Sequence, residues 1–377
     1  MFREFLFFSQ IPPNSRFVGR SGLLPGLTRF AARALSIKIG GTPVFLMLAC
    51  LSGFLLPTGW AAEEFGFPTA NRALLDPDGG ERFLAPTPGR TWESGGYGCV
   101  RSEGWQLHEG LDIRSIDRDA RNEPVDPVMA AAAGSVAYVS RNPALSNYGN
   151  YIILRHQVEG LEVFSFYAHL ASIDDDMAPG REVRQGEVLG MMGRTANTGD
   201  RISKARAHVH FEIGLQINER FPDWVRETFP DQRNDHGAWN GQNYIGVDPS
   251  VLLTGGRTSD KPFRLLEFLH NQVELCRVMV LETDFPWLHR YARLIRRNPQ
   301  AELEGIAGFE LVLNFAGLPF EIVPRAPSEI QSLEPVTLLS VNAEEKVRNP
   351  CGKIVVQRDG QWQLTNTGMR RIDLLTY

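Results

Sequence analysis

The sequence predicts a multidomain protein: a targeting segment, a mainly β, antiparallel domain, and a smaller α+β region behind it. Three observations carry this. The first 62 residues hold six basic residues against one acid and end in an uncharged apolar run. From residue 96 to 255, short β-branched and aromatic runs alternate with Gly, Asn, Asp and Pro. From 261 to 377, a helical period appears beside two hairpin patterns. With 377 residues, 43% hydrophobic and 22% charged, the chain is long enough for two cores.

In the first segment, Arg3, Arg16, Arg20, Arg29, Arg33 and Lys38 precede an uncharged stretch from Ile39 to Ala62. "VFLMLACLSGFLL" (Val44 to Leu56) has the length of a signal-peptide core, and "GWAA" (Gly59 to Ala62) offers small residues for cleavage. Residues 1–62 therefore read as a signal peptide or membrane-targeting segment, and the protein as exported, to the periplasm or cell envelope or beyond. An uncleaved anchor is the alternative, because the uncharged run is just long enough to span a bilayer. Met47 and Leu48 ahead of Cys50 do not make a lipobox. Removing this segment's six bases and one acid from totals of 39 and 44 leaves 33 and 43, a formal charge of −10. That charge argues against a nucleic-acid partner. Cys99, Cys276 and Cys351 remain; a Cys276–Cys351 disulfide with Cys99 free is one pairing, and spacing does not decide it.

Residues 63–95 read as an extended lead-in, since "PDGGERFLAPTPGRTWESGG" (Pro77 to Gly96) is rich in turn formers. Strands are expected at "SVAYVS" (Ser135 to Ser140), "NYIILRH" (Asn150 to His156), "EVFSFYAHL" (Glu162 to Leu170), "EVLGMMG" (Glu187 to Gly193) and "HVHFEIGLQI" (His208 to Ile217). "TGGRTSD" (Thr254 to Asp260) marks a break. Beyond it, "DFPWLHRYARLIRR" (Asp284 to Arg297) predicts one helix, with Leu288, Tyr291, Ala292 and Ile295 at helical spacing. "FELVLNF" with "LPFEIV" (Phe309 to Val323), and "KIVVQ" with "QWQLT" (Lys353 to Thr365), predict two hairpins.

"HEGLD" (His108 to Asp112) carries the first chemistry. A zincin helix would place Gly110 in its middle and run into "LDIRSID", which suits a strand better. A fully extended strand would hold the Cα atoms of His108 and Asp112 roughly 13 Å apart. Gly110 offers a bend that lets imidazole and carboxylate converge. In "AHVHFEIG", His208 and His210 face the same side of a strand, with Cα atoms about 6.6 Å apart. "YAHL" adds His169. His156, His236, His270 and His289 have no clustered partner, and for His156 its strand is explanation enough. Glu109 reads as a solvated loop residue. Glu212 is placed to hold a histidine's other nitrogen.

"HEGLD", "YAHL" and "HVHFEI" in that order, with "GNYIILRH" and "GREVRQGEVLGMMG", resemble the lysostaphin-type (LytM-type) zinc endopeptidases that cut peptidoglycan cross-bridges. The resemblance covers about a third of the chain, from Gly96 to Ile217. It implies one Zn²⁺ per chain held by His108, Asp112 and His210, with His169 and His208 in catalysis, and a small antiparallel β domain related to barrel-sandwich hybrids. The implied activity is zinc-dependent hydrolysis of peptide bonds in peptidoglycan; the alternative is a non-catalytic wall-binding protein or an activator of other wall hydrolases. All five residues are present, which favours activity. The chain departs from the family where "GRTANTGDRISKARAHVH" (Gly193 to His210) interposes a basic stretch before the last motif, a loop expected to border the groove.

Overall fold

Val209, Phe211, Ile213 and Leu215 alternate with His208, His210, Glu212 and Gln216 along one nine-residue strand, and the main sheet is organised around it. In a strand such alternation sends the two sets to opposite faces. Here both faces are covered, so all nine residues are buried. The computed structural model describes residues 65–198, 202–255 and 262–377. The expected targeting segment, residues 1–62, and most of the break at Thr254–Asp260 lie outside them. Among the described residues no helix is long and apolar enough to cross a membrane.

The first strands are β1 (Gly98–Arg101), β2 (Gln106–His108), β3 (Leu111–Arg114), β4 (Pro127–Met129), β5 (Gly134–Ser140), β6 (Tyr151–Val158) and β7 (Leu161–Ala168). Then come β8 (Ser172–Ile173), β9 (Glu182–Val183), β10 (Val188–Met191), β11 (His208–Gln216) and β12 (Tyr244–Val247). A seven-stranded sheet runs β12-β11-β7-β6-β5-β9, with β3 also on β11; β4-β10-β8 and β1-β2 form smaller sheets. Every pairing is antiparallel. The mainly β, antiparallel expectation holds; barrel closure does not, because no pairing among the described residues joins β12 or β3 to β9. On one face of the main sheet Val209, Phe211 and Ile213 join the large core with Ile152, Leu154 and Val163. The other face carries a second cluster of Tyr151, Ile153, Phe164, Phe166 and Tyr244.

The lead-in is more ordered than turn content suggests. Gly80–Phe83 forms a helical turn, Phe83, Leu84 and Ala85 are buried, and Leu84 bridges to Ile113 of β3. Apolar burial overrides the local turn signals there.

Farther along lie β13 (Cys276–Val280), β14 (Gly308–Leu313), β15 (Pro319–Arg325), β16 (Val336–Val341), β17 (Val355–Arg358) and β18 (Gln361–Leu364). They form a four-stranded sheet, β15-β14-β13-β16, and a β17-β18 hairpin. Both predicted hairpins are present. The single helix expected over Asp284–Arg297 is not: a helix spans Pro286–Arg290, Tyr291 breaks it at φ −121° and ψ 43°, and a 3₁₀ turn follows at Ala292–Leu294. Tyr291 is fully buried, its ring 4.3 Å from that of Trp287, and its hydroxyl accepts from Gln216 N at 2.8 Å. Tertiary packing of one aromatic thus outweighs helical spacing.

The cysteines also correct an expectation. The disulfide joins Cys99 to Cys351, and Cys276 is free and buried. Cys276 lies in the middle strand of its sheet, opposite Leu313 and Val341, where it behaves as a small apolar residue. Further bonds tie the same regions: Asn218 Nδ2 donates to Leu374 O at 2.9 Å, and Trp224 Nε1 to Asp373 Oδ2 at 2.6 Å.

Candidate metal centre

Register does most of the assembly. On β11, His210 lies directly opposite Asp112 of β3 and opposite Ala168 of β7 on its other side. Side chains across an antiparallel pair are close neighbours, so Asp112 meets His210 at once. His108 ends β2, and the chain turns through Glu109 and Gly110 before β3 begins. A Cβ on Gly110 would lie 2.2 Å from Phe211 O; the missing side chain lets this turn press against β11. His169 follows the last residue of β7 at φ +63°, an uncommon conformation for a residue with a side chain. It is held by its N–H to Tyr148 O at 2.8 Å.

The structure brings together all five residues singled out from the sequence. His108, Asp112 and His210 form a buried group. His108 Nε2 lies 3.2 Å from Asp112 Oδ1, His210 Nδ1 3.0 Å from the same oxygen, and the two nitrogens 3.2 Å from each other. Tetrahedral ligands at zinc bond lengths stand about 3.3 Å apart. Two imidazoles and one carboxylate oxygen at this spacing fit one face of such a tetrahedron. His208 Nε2 is 3.4 Å from Asp112 Oδ2. The His169 ring packs edge-on to that of His208, centroids 4.9 Å apart, and 6.0 Å from that of His210.

Each ring is oriented by one further bond. His108 Nδ1 donates to Gly96 O at 2.6 Å, His169 Nδ1 to Thr195 O at 2.9 Å, and His208 Nδ1 to Arg206 O at 2.5 Å. Those three rings keep Nε2 as the acceptor nitrogen, and on His108 it lies 2.9 Å from Arg101 Nη2. His210 is reversed: Nε2 donates to Glu212 Oε1 at 2.7 Å, leaving Nδ1 for the cluster. Glu212 in turn accepts from Tyr148 at 2.6 Å. Glu212 thus holds a histidine's outer nitrogen, as the sequence suggested. Gly149, at φ +62°, lets the Tyr148 loop reach Thr195, whose atoms a Cβ would meet at 2.3 to 2.5 Å.

The electrostatics separate the rings. Burial drives His169 well below the usual histidine range, helped by the charges of His208 and His210. Burial also lowers His208, against the pull of Asp112. For His210, burial is outweighed by hydrogen bonds to Asp112 and Glu212, which raise it to about 10. Burial opposes ionisation of Asp112, but His208 and His108 prevail and hold it well below the carboxylate range. His169 and His208 are therefore neutral bases near pH 7, and a dication at Nδ1 of His210 would displace a proton.

Residues the sequence did not single out complete the centre. Arg101, at the end of β1, bonds Asp112 Oδ2 at 2.6 Å; Tyr148 supports Glu212. The remaining histidines stay away: His156 is buried between Ala133 O and Ser165, His236 bonds Tyr138, and His289 pairs with Asp284 on the surface. Glu109 is exposed. Of the basic loop, residues 199–201 lie outside the described residues; Arg194 is held by Glu123 at 2.8 and 2.9 Å.

Residues 106–221, which contain all five, match the model of peptidase family M23. This similarity to peptidase family M23 is confined to about a third of the chain. The resemblance read from the motifs is borne out at that level. No curated protein matches the chain. Solved structures similar to parts of it include a protein from Ruminococcus gnavus described as a glycyl-glycine endopeptidase LytM, at 22% identity over 42% of this chain and 50% of that one, TM-score 0.27. Others are the catalytic domain of lysostaphin from Staphylococcus simulans, at 19% identity over 42% and 89%, TM-score 0.25, and a zinc-containing peptidase from Vibrio cholerae, at 21% over 40% and 37%, TM-score 0.25. The match spans half the length of the Ruminococcus chain. Within the matched residues the His–Asp–His group lies where β2, β3 and β11 meet.

Proposed function

We propose that the protein is an exported, zinc-dependent metalloendopeptidase that hydrolyses peptide bonds in the stem peptides or cross-bridges of peptidoglycan. The observation that carries this reading is the triangle of His108 Nε2, Asp112 Oδ1 and His210 Nδ1, with edges of 3.0 to 3.2 Å, inside a peptidase-family domain. These three residues would hold Zn²⁺ and leave its fourth position open. When bound, zinc supplies a Lewis acid that acidifies water and polarises the scissile carbonyl. The chain's own groups do the rest. His208 and His169 are neutral, and their Nδ1 protons are spent on backbone carbonyls, so each can accept a proton at Nε2 and return it to the leaving amine. Glu212, backed by Tyr148, keeps His210 turned toward the metal.

Export is supported by the signal-like pattern of residues 1–62 and by a disulfide, a bond that persists outside the reducing cytosol. Residues 261–377 act in this reading as an accessory region bound to the peptidase domain, and the N-terminal segment, if uncleaved, as an anchor.

The test is zinc content of the purified protein, wild type beside His210→Ala, with release of amino groups from purified peptidoglycan followed in the same samples. The expected result is about one zinc per chain and amine release that a chelator and His210→Ala both abolish. His208→Ala should keep zinc and lose turnover. Bound zinc with no cleavage of any peptidoglycan type would replace this reading with that of a non-catalytic activator.

A further inference from the structure

One cation reaches into the centre from outside the matched domain. Arg101 ends β1, seven residues before His108, and its side chain is only 16% exposed. Its Nη2 lies 2.6 Å from Asp112 Oδ2 and 2.9 Å from His108 Nε2. His108 has committed its Nδ1 proton to Gly96 O, so Nε2 offers a lone pair, and a guanidinium, which has no acceptor, donates to it. That lone pair is the one the metal reading requires. The Asp112 carboxylate is divided: Oδ1 faces the two ring nitrogens and Oδ2 faces Arg101. Arg101 Nε is buried with no hydrogen-bond partner, so the guanidinium gains its polar contacts from the centre itself.

These contacts act on a bound dication in opposite directions. The bond to Oδ2 fixes the carboxylate and turns Oδ1 inward, which favours binding. Against it, the same guanidinium competes for His108 Nε2, and its permanent charge repels a metal ion a few ångströms away in a poorly hydrated site. Arginine cannot relieve that repulsion by losing its proton. Repulsion between a dication and a fixed charge at this range exceeds the benefit of one orienting bond. Arg206, whose charge Asp112 also feels, spends its Nε on Pro86 O at 2.5 Å and does not contest a ring nitrogen.

We propose that Arg101 sets the metal affinity of the centre, orienting Asp112 through Oδ2 while competing with the metal at His108 Nε2, so that the ion is held less tightly than the three ligands alone would hold it. Arg101 is then a positioning residue acting through two of the ligands. The inference rests on the metallopeptidase reading and predicts the sign of a binding change rather than loss of activity.

The experiment measures the zinc dissociation constant of the full chain by competition with a chromophoric chelator at one pH and salt concentration. Arg101→Gln keeps an N–H for Oδ2 and removes the charge; it should bind zinc about tenfold or more tightly than wild type. Arg101→Lys puts a point charge that can shed its proton in place of one that cannot, and should bind zinc more tightly than wild type but less tightly than the Gln variant. Should the Gln variant not fold, Arg101→Met, which keeps the stem's packing, takes its place and should also bind more tightly. Unchanged or weaker binding by the uncharged variants, with wild-type binding that His210→Ala abolishes, overturns the role of Arg101 alone. A wild-type chain that binds no zinc overturns the metallopeptidase reading and this inference with it.

Discussion

Four imidazoles meet in the centre, and what distinguishes them is the partner of the nitrogen that faces away. Three donate from Nδ1 to backbone carbonyls and one donates from Nε2 to Glu212. Glu212→Ala should therefore leave His210 free to rotate and weaken zinc binding about 10- to 100-fold, as read by chelator competition, with little loss of fold. His156 shows the opposite use of a buried ring. Burial holds it at about 4 in place of 6.5, so between those values the unfolded chain binds more protons than the folded one. Its contribution is fully present above about pH 6.5 and is lost as pH falls toward 4, about 3 kcal/mol in all. His156→Phe should be less stable at pH 7, because it strands Ala133 O and Ser165. Its urea midpoint should nevertheless fall less steeply than that of wild type between pH 6.5 and 4. At this scale the sequence was informative where partners share a short motif: His208 and His210 are two residues apart, and His108 and Asp112 are four. Arg101 and Tyr148 were illegible because a hairpin and a loop, not spacing, bring them in.

Elements repeat that contrast. The strands now numbered β5, β6, β7, β10 and β11 were readable because each buries a β-branched or aromatic run between turn formers. The β1–β2 hairpin was not, since its strands hold four and three residues and stand on a disulfide and on Arg101 rather than on hydrophobic alternation. The break at Tyr291 was hidden for a related reason: the sequence shows which residues could share a helical face, not which of them another element will claim. Gly110 was read as a bend, and its structural reason is more specific. It sits where β3 leaves the turn and closes on β11, with Phe211 O 2.2 Å from where a Cβ would be. Gly110→Ala should push β3 away from β11, separating Asp112 from His210. We expect a loss of about 1–3 kcal/mol in denaturant unfolding together with weaker zinc binding, whereas a mere change in local flexibility would leave the second unaltered.

Across the described molecule, one hydrophobic cluster joins the main sheet to the C-terminal region. Ile217, Leu252, Leu275, Trp287 and Leu375 belong to it with Val209 and Phe211, and outside it the Cys99–Cys351 bond ties residues 252 apart in sequence. Closing a loop of this length removes much conformational freedom from the unfolded chain. Cys351→Ser should cost about 2–5 kcal/mol, measured as a lowered urea midpoint. A reductant should bring wild type to the same value and leave the variant unchanged.

The bond between residues 99 and 351 also alters what it means to cut this protein. One break in the backbone anywhere between them yields two fragments that stay joined, migrating as a single species until a reductant parts them. A break between Asp112 and His210 divides the His–Asp–His group by connectivity, with His108 and Asp112 on one fragment and His210 on the other. The two fragments would still be purified, diluted and transported as one covalent body, with the whole group aboard.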